Sequence, residues 1–387
     1  MKRNQIVFFL IIGLALSIIA IGFGLQSFSS DGNGGDDASA TAIPTTGAPL
    51  NLRVAVSTVA EAWVSDAIDA YNATRPVING HAVTVQIVRQ DSLPVWAESS
   101  GVWSAQNHPQ VWIPEASYEL AFSDEIRLNY EAYQPSLAQT PIIWGAYQSR
   151  SAIIIDTYGE FSANTVQQAA AVERWDAIGG NTRWGFVKVA FARPDSGSSG
   201  FAALLTLSGE YGVTSRLDST LMSDSALHDW LLPIIAAVPN FSTLGLDPAA
   251  TMATRGASTA DFGLLPESQW LIHFDTLSQS EPFELFYPAN TVVFDFPYSI
   301  WNGSETSEDE RRAARAFGDF LMSDDQQQRA GEHGLRPAKL NQLAEFAPFR
   351  NAGAAVQIDY STGVISPENR PAMLSFLNWF ETSRSAS

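Results

Sequence analysis

The sequence of 387 residues predicts an α/β fold built on parallel sheets, with one apolar helix ahead of it, and three observations carry that expectation. Short β-branched runs alternate with helical stretches, the order that strand–crossover–strand units require. Three of the predicted strands end in Ser57-Thr58, Asp91-Ser92 and Glu115-Ala116-Ser117. In an open α/β sheet, ligands sit beyond the carboxyl ends of strands, so these three ends should border one crevice. The stretch Tyr287 to Ala338 then reads as a strand followed by two capped helices, a segment that closes an α/β unit.

Lys2 and Arg3 precede twenty mostly apolar residues, Ile6 to Leu25. At about 1.5 Å per residue such a helix spans roughly 30 Å, the thickness of a hydrocarbon core. Cleavable leaders have shorter apolar regions, and Ser27 and Ser29 form a poor cleavage site, so residues 1–25 read as a signal-anchor or a signal peptide. Either leaves the basic end cytoplasmic and exports the remainder. Residues 26–50 are Ser, Gly, Asp, Ala, Thr and Pro with little apolar content, the composition of a flexible linker. The folded body is expected from Asn51.

Leu52 to Ser57 predicts a strand, Glu61 to Ala73 a helix with Trp63, Ala67, Ala70 and Tyr71 near one face, and Val83 to Val88 a second strand. Gln110 to Ile113 is a third, stopped by Pro114, and Pro141 to Ala146 a fourth, followed by Ser149 to Ile155. Phe186 to Ala192 leads as a strand into Arg193-Pro-Asp-Ser-Gly-Ser-Ser-Gly200 and a helix from Phe201 to Leu207. Ala260 to Leu265 adds a strand stopped by Pro266. In the closing segment Thr291 to Phe296 is β-branched and aromatic, and Ser307 with Glu310 and Ser323 with Gln326 offer capping boxes. Gly334 ends the second helix, and a last helix falls around Ala372 to Phe380.

The turn Asp195 to Gly200 is the clearest chemical feature. Small residues admit a close ligand, and a helix N-terminus presents free N–H groups and partial positive charge. Ser198 and Ser199 add hydroxyls, so the turn could hold an oxyanion or a carboxylate without a cationic side chain; as a bare turn and N-cap it would hold nothing. Gly200→Val is expected to abolish binding there while leaving the fold intact. Among the tryptophans near the crevice segments (Trp63, Trp96, Trp103, Trp112, Trp144), Trp112 is the best candidate for an aromatic wall. Glu267 and Arg150, each following a strand, are polar candidates.

Composition narrows the classes. With 41 Asp and Glu against 22 Lys and Arg, the chain carries a formal net charge of −19, which disfavours nucleic acid and anionic lipid. It has no cysteine, hence no disulfide, thiolate metal site or lipid-bearing cysteine. Gly197-Ser-Ser-Gly200 lacks the spacing of a nucleophile elbow, and the five histidines stand without metal-ligand spacing. No cofactor or metal is expected and catalysis is not, although two carboxylates far apart in sequence could still serve an exported hydrolase.

Four segments in order resemble bacterial extracellular solute-binding proteins. They are Pro109-Gln-Val-Trp-Ile-Pro-Glu-Ala-Ser117, Gln139-Thr-Pro-Ile-Ile143, Trp184-Gly-Phe-Val-Lys188 with Pro194-Asp-Ser-Gly-Ser-Ser-Gly200, and Tyr287 to Ala338. The resemblance is to the branch similar to molybdate receptors and to receptors joined to von Willebrand A domains. It implies a two-lobed type II periplasmic-binding-protein fold with two crossover strands, near Pro141–Ala146 and Tyr287–Phe296. Lobe one would hold 51–143 and 290–350, lobe two 144–289, and 351–387 would be an extension. It also implies a small-molecule or oxyanion ligand held by Ser57, Thr58, Ser117, Thr140, Ser198 and Ser199, with Gly200 in the same turn. The partner would be an ABC permease, with a membrane tether through the N-terminal helix and the body outside the cytoplasm; a surface sensor or adhesion module of the same fold is the alternative. Two departures stand out: Thr140-Pro141 replaces the usual Ser-Pro, and the apolar run replaces the lipid-bearing cysteine.

Overall fold

The computed structural model describes residues 46–98 and 102–385. The expected signal-anchor or signal peptide, 1–25, and the linker as far as residue 45 lie outside the described residues. Among the described residues no helix is long and apolar enough to cross a membrane. The last linker residues belong to the fold, because the N–H groups of Thr46 and Gly47 both donate to the carbonyl of Gly80.

The first sheet draws on β1 (Leu50–Val56), β2 (Val77–Ile78), β3 (His81–Arg89), β4 (Val111–Ile113) and β5 (Tyr130–Gln134). The chain then passes through the ten-residue β6 (Ala138–Tyr147) to β7 (Val189–Ala190), β8 (Arg216–Leu217), β9 (Phe262–Pro266) and β10 (Phe283–Phe286). It returns through β11 (Asn290–Thr291) and β12 (Val293–Phe294) to β13 (Tyr298–Trp301), followed by β14 (Arg336–Pro337), β15 (Gly363–Val364) and β16 (Ser366–Pro367). The first sheet has the order β2-β3-β1-β4-β13-β5, and the second contains β10-β6-β9-β7 with β12 and β14 also paired to β6. Two lobes result, each an α/β unit around its own sheet.

Parallel pairing positions the functional edge. β1 runs parallel to both β3 and β4, so Ser57, Asp91 and Glu115 all follow strands that end on one side. In the second sheet β7 is parallel to β9, which puts Ser198 and the residues after Pro266 beyond one edge as well. The two crossovers lie against each other: Pro141 pairs with Val293 and Thr140 with Phe294 in antiparallel register. β13 enters between β4 and β5 antiparallel to both, because it arrives from the second lobe.

Several elements differ from the sequence expectation. Of Phe186 to Ala192 only Val189–Ala190 is strand, and Ser149 to Ile155 is helical within Gln148–Tyr158. The Ser307–Glu310 capping box forms, whereas Ser323 Oγ donates back to the carbonyl of Phe320 and leaves its helix without a side-chain cap. The C-terminal residues are integral to the structure. β15 and β16 pair in parallel with β11 and β8, and the helix Arg370–Ser385 stacks Trp379 on His228 with centroids 4.2 Å apart.

Period two along β4 decides the fate of its aromatic residue. Val111 and Ile113 face the main core, while Trp112 faces the opposite side of the sheet in a separate cluster with Trp103, Tyr130 and Trp301. Its ring lies 5.5 Å from both Trp103 and Tyr130, in edge and tilted contacts. Trp112 is therefore core, and the expectation that it forms a wall of the crevice is corrected.

Candidate functional site

The helix Ser198–Gly212 begins where the sequence led one to expect a ligand, and its N-terminus is occupied by the chain itself. Asp91, from the loop after β3 in the first lobe, accepts the N–H of Ser198 at 3.0 Å and its hydroxyl at 3.1 Å. The same carboxylate accepts the N–H of Leu93 at 2.9 Å and so caps the short helix Ser92–Ala97. Ser198 Oγ also lies 2.6 Å from Glu119, so that its single hydroxyl proton is shared between the two carboxyl groups. A serine of one lobe thus bridges two carboxylates of the other. Gly197 is required by this approach, since a Cβ there would lie 2.8 Å from Asp91 Oδ2.

Two further carboxylates join them. Glu119, in the first turn of the helix Ser117–Glu125, reaches back to accept the N–H of Ala116 and receives Trp96 Nε1 at 3.4 Å. Asp295, just after β12, accepts the N–H of Ser117 at 2.8 Å and also its hydroxyl. Three of the four acids are therefore held by amide or hydroxyl donors at helix starts, where partial positive charge favours an anion.

Glu115 is different. It is 0% exposed, and neither carboxylate oxygen has a hydrogen-bond partner among the described residues. The Ser92 hydroxyl accepts the Glu115 backbone N–H at 3.3 Å and is near enough to the carboxyl to favour its ionised form. Burial first, then repulsion from Asp91 and Glu119, holds the Glu115 carboxyl well above the usual range. Glu119 is pushed up to about 8 by burial, against the opposing pull of the Ser198 hydrogen bond. Asp91 and Asp295 are raised by burial too, and no cationic side chain offsets any of the four.

Rings close the site. Trp96 packs between Phe122 of the first lobe, at 5.2 Å, and Phe201 of the second, at 5.7 Å. Tyr118 lies 5.6 Å from Phe122, and its hydroxyl is buried without a partner. Burial raises the Tyr118 pKa most, and Glu119, Glu115, Asp91 and Asp295 all raise it further, so the ring faces the acids. Phe296, whose N–H donates to the Glu115 carbonyl, holds a left-handed φ of 44°. Such a conformation in a bulky residue persists only where the surroundings enforce it.

The other expected site residues divide. Ser57 is buried at the end of β1 with an unpartnered hydroxyl, whereas Thr58 is exposed. Ser199 sits in the first turn beside Ser198, and Gly200 packs its helix on the preceding strand, a Cβ there falling 2.3 Å from the Ala192 carbonyl oxygen. Thr140 Oγ1 accepts the N–H of Ser268 at 3.0 Å, serving as an N-cap for the helix Glu267–Leu277 from another strand. Glu267 is engaged by Arg336, through Nε at 2.6 Å and Nη2 at 2.8 Å, and by the Tyr287 hydroxyl. Arg150 pairs with Asp261 and Glu281 inside the second lobe. Neither Glu267 nor Arg150 is free for a ligand.

In these loops the sequence expectation chose the hydroxyls over the acids. Asp91 and Glu115 stood beside the selected residues, and Asp295 was signalled by an acid inside the apolar run Val292 to Phe296. Glu119 carried no signal beyond its place in a first turn.

The model of the bacterial extracellular solute-binding proteins matches residues 52–336. No curated protein matches the sequence. Among solved structures, the periplasmic binding protein AfuA of Actinobacillus pleuropneumoniae, with fructose-6-phosphate bound, is 12% identical. It superposes with a TM-score of 0.57 over 88% of this chain and 100% of its own. A Streptococcus pneumoniae solute-binding protein in complex with the blood group A-trisaccharide is 12% identical, with a TM-score of 0.54 over 86% of this chain and 95% of its own. The maltose/maltodextrin-binding domain MalE of Bdellovibrio bacteriovorus, bound to maltotriose, is 11% identical, with a TM-score of 0.53 over 87% of this chain and 100% of its own. Identity this low establishes shared fold alone. Taken with the two sheets and paired crossovers, the match over 52–336 identifies this chain as a member of the bacterial extracellular solute-binding protein family, with the two-lobed periplasmic-binding-protein fold of type II.

Proposed function

We propose that the protein is an extracytoplasmic receptor, tethered by its N-terminal apolar segment, that clamps a small ligand between its lobes and delivers it to an ABC-type permease. Lobe one would comprise 51–143 and 290–350 and lobe two 144–289, hinged at the paired crossovers. The observation that carries the reading is the polar edge at which the lobes meet. Asp91 and Glu119 grip Ser198 across it, and Glu115 is buried beside them with its valences unfilled. A buried unpartnered carboxylate costs free energy in the unliganded protein, and a ligand supplying the missing donors would favour the closed arrangement by that difference. Ser57, Ser198 and Ser199 are the hydroxyls retained from the sequence expectation. Catalysis is not part of this reading.

Closure gives the test. Cysteines introduced at exposed positions, one on each lobe, would carry donor and acceptor dyes, since the chain has no cysteine of its own. A ligand that raises the melting temperature should narrow the interdye distance distribution. If stabilising ligands left that distribution unchanged and Asp91→Ala had no effect on their affinity, binding between the lobes would be wrong.

A further inference from the structure

We propose that the interlobe site takes an organic cation, a small molecule bearing an ammonium or amidinium group, and not an oxyanion. The inference rests on the receptor reading above and names the ligand class of the same site. Asp91 and Glu119 of the first lobe meet there on Ser198 of the second, and Glu115 is buried near them with both carboxyl oxygens unpartnered. The helix N-terminus that could have held an oxyanion is already used, because the N–H and hydroxyl of Ser198 serve Asp91 and Glu119. An added anion would meet these acids with no cationic side chain beside them to offset the repulsion.

What Glu115 and Gln269 lack is donors. Both oxygens of Glu115 are unpartnered, and so is Gln269 Oε1. Gln269 stands at the second-lobe edge, where its Nε2 donates to the carbonyl of Leu246, the residue whose side chain lies beside Gly197. An ammonium group is all donor, so it would satisfy the Glu115 oxygens and, once bound, hold that carboxyl in its ionised form. A bare metal ion fits less well: among the described residues no three acidic or histidine side chains are gathered as a metal would require. The half-buried ring of Tyr118 gives the organic part of the ligand a surface, and an aromatic face favours a cation.

The experiment is calorimetry and thermal shift on the full chain at ~150 mM salt, where diffuse attraction to an acidic protein is largely screened. The probes are putrescine, spermidine, choline and arginine, against phosphate, molybdate, maltose, calcium and manganese. At least one amine should bind and raise the melting temperature, and Glu115→Gln should weaken it about tenfold or more, as loss of a charged hydrogen bond does. The unliganded Glu115→Gln protein should be no less stable than the wild type, because the Glu115 carboxyl oxygens hold no partner that the substitution would strand. That keeps a folding defect from mimicking the result. Amine binding indifferent to Glu115→Gln would be surface attraction and would overturn the proposal. Binding of an oxyanion, maltose or a metal ion, with no amine binding, would overturn it while leaving the receptor reading standing. Binding by no probe of any class would count against both.

Discussion

Asp91 in the first lobe accepts the backbone N–H of Ser198 in the second at 3.0 Å, so a side chain of this protein sits where a bound anion would otherwise lie. One carboxylate thereby joins two lobes and caps two helices, its own at Leu93 and its partner's at Ser198. Asp91→Ala should lower stability in urea by about 1–3 kcal/mol, the range for losing a cap and a charged hydrogen bond. A double-mutant cycle with Ser198→Ala separates the interlobe part, for which a coupling of about 0.5–3 kcal/mol is expected. Additive effects would mean that the two residues touch without holding the lobes together.

Glu119 makes stability depend on pH in a defined direction. Its carboxyl is raised from about 4.3 in an unfolded chain to about 8 in the structure, chiefly by burial. The native state then keeps a proton that the unfolded chain releases, so this stabilisation is complete at low pH and is lost as pH climbs towards about 8. Glu115 and Asp91 are raised as well and act in the same sense. The urea midpoint should fall between about pH 5 and about pH 8, and Glu119→Gln should show a shallower fall. Equal slopes for the two proteins would show that Glu119 titrates normally.

Glu267 and Arg336 form a buried ion pair, and Arg336 also donates to the carbonyls of Gln357 and Ile358. Removing one partner strands the other charge, so Arg336→Leu should cost about 3–5 kcal/mol. The double variant Glu267→Leu/Arg336→Leu should recover part of that loss in equilibrium unfolding, and ligand affinity should survive in it. Selective loss of binding without loss of stability would return Glu267 to the site.

Gly200 is a packing residue. A Cβ would meet the Ala192 carbonyl oxygen at 2.3 Å and the Arg193 carbonyl carbon at 2.6 Å, both backbone atoms that cannot swing aside. Gly200→Val, which the sequence suggested would spare the fold, should destabilise by about 1–3 kcal/mol or more as the helix is forced off its strand. Circular dichroism melts decide it: an unchanged melting temperature would mean that the helix shifts at no cost.

Much of the first lobe was legible because local chemistry and tertiary structure agree there. The helix Glu61–Ala73 falls where its apolar spacing put it, and the Ser307 box caps Glu308–Leu321 as its residues imply. Short segments in the second lobe were harder. Phe186 to Ala192 has strand composition, yet only two of its residues find a ladder partner, since a strand exists only where a neighbour accepts its hydrogen bonds. Trp112 was misread although its alternation with Val111 and Ile113 was visible, because alternation says that two faces differ and not which one borders the crevice.

By itself the sequence determined the order of elements, the α/β class though not the mixed pairing of its sheets, the loops at which strands end, and a Gly-Ser turn able to receive an anionic group. These follow from spacing, β-branching and capping, which act over a few residues. Only tertiary structure decided what meets that turn. Asp91 and Glu119 lie 107 and 79 residues from Ser198 in the chain, and no local rule couples residues so far apart. Bringing the acids together out of water raised their pKa values, left Glu115 without a partner, and turned a turn suited to anions into one face of an acidic site.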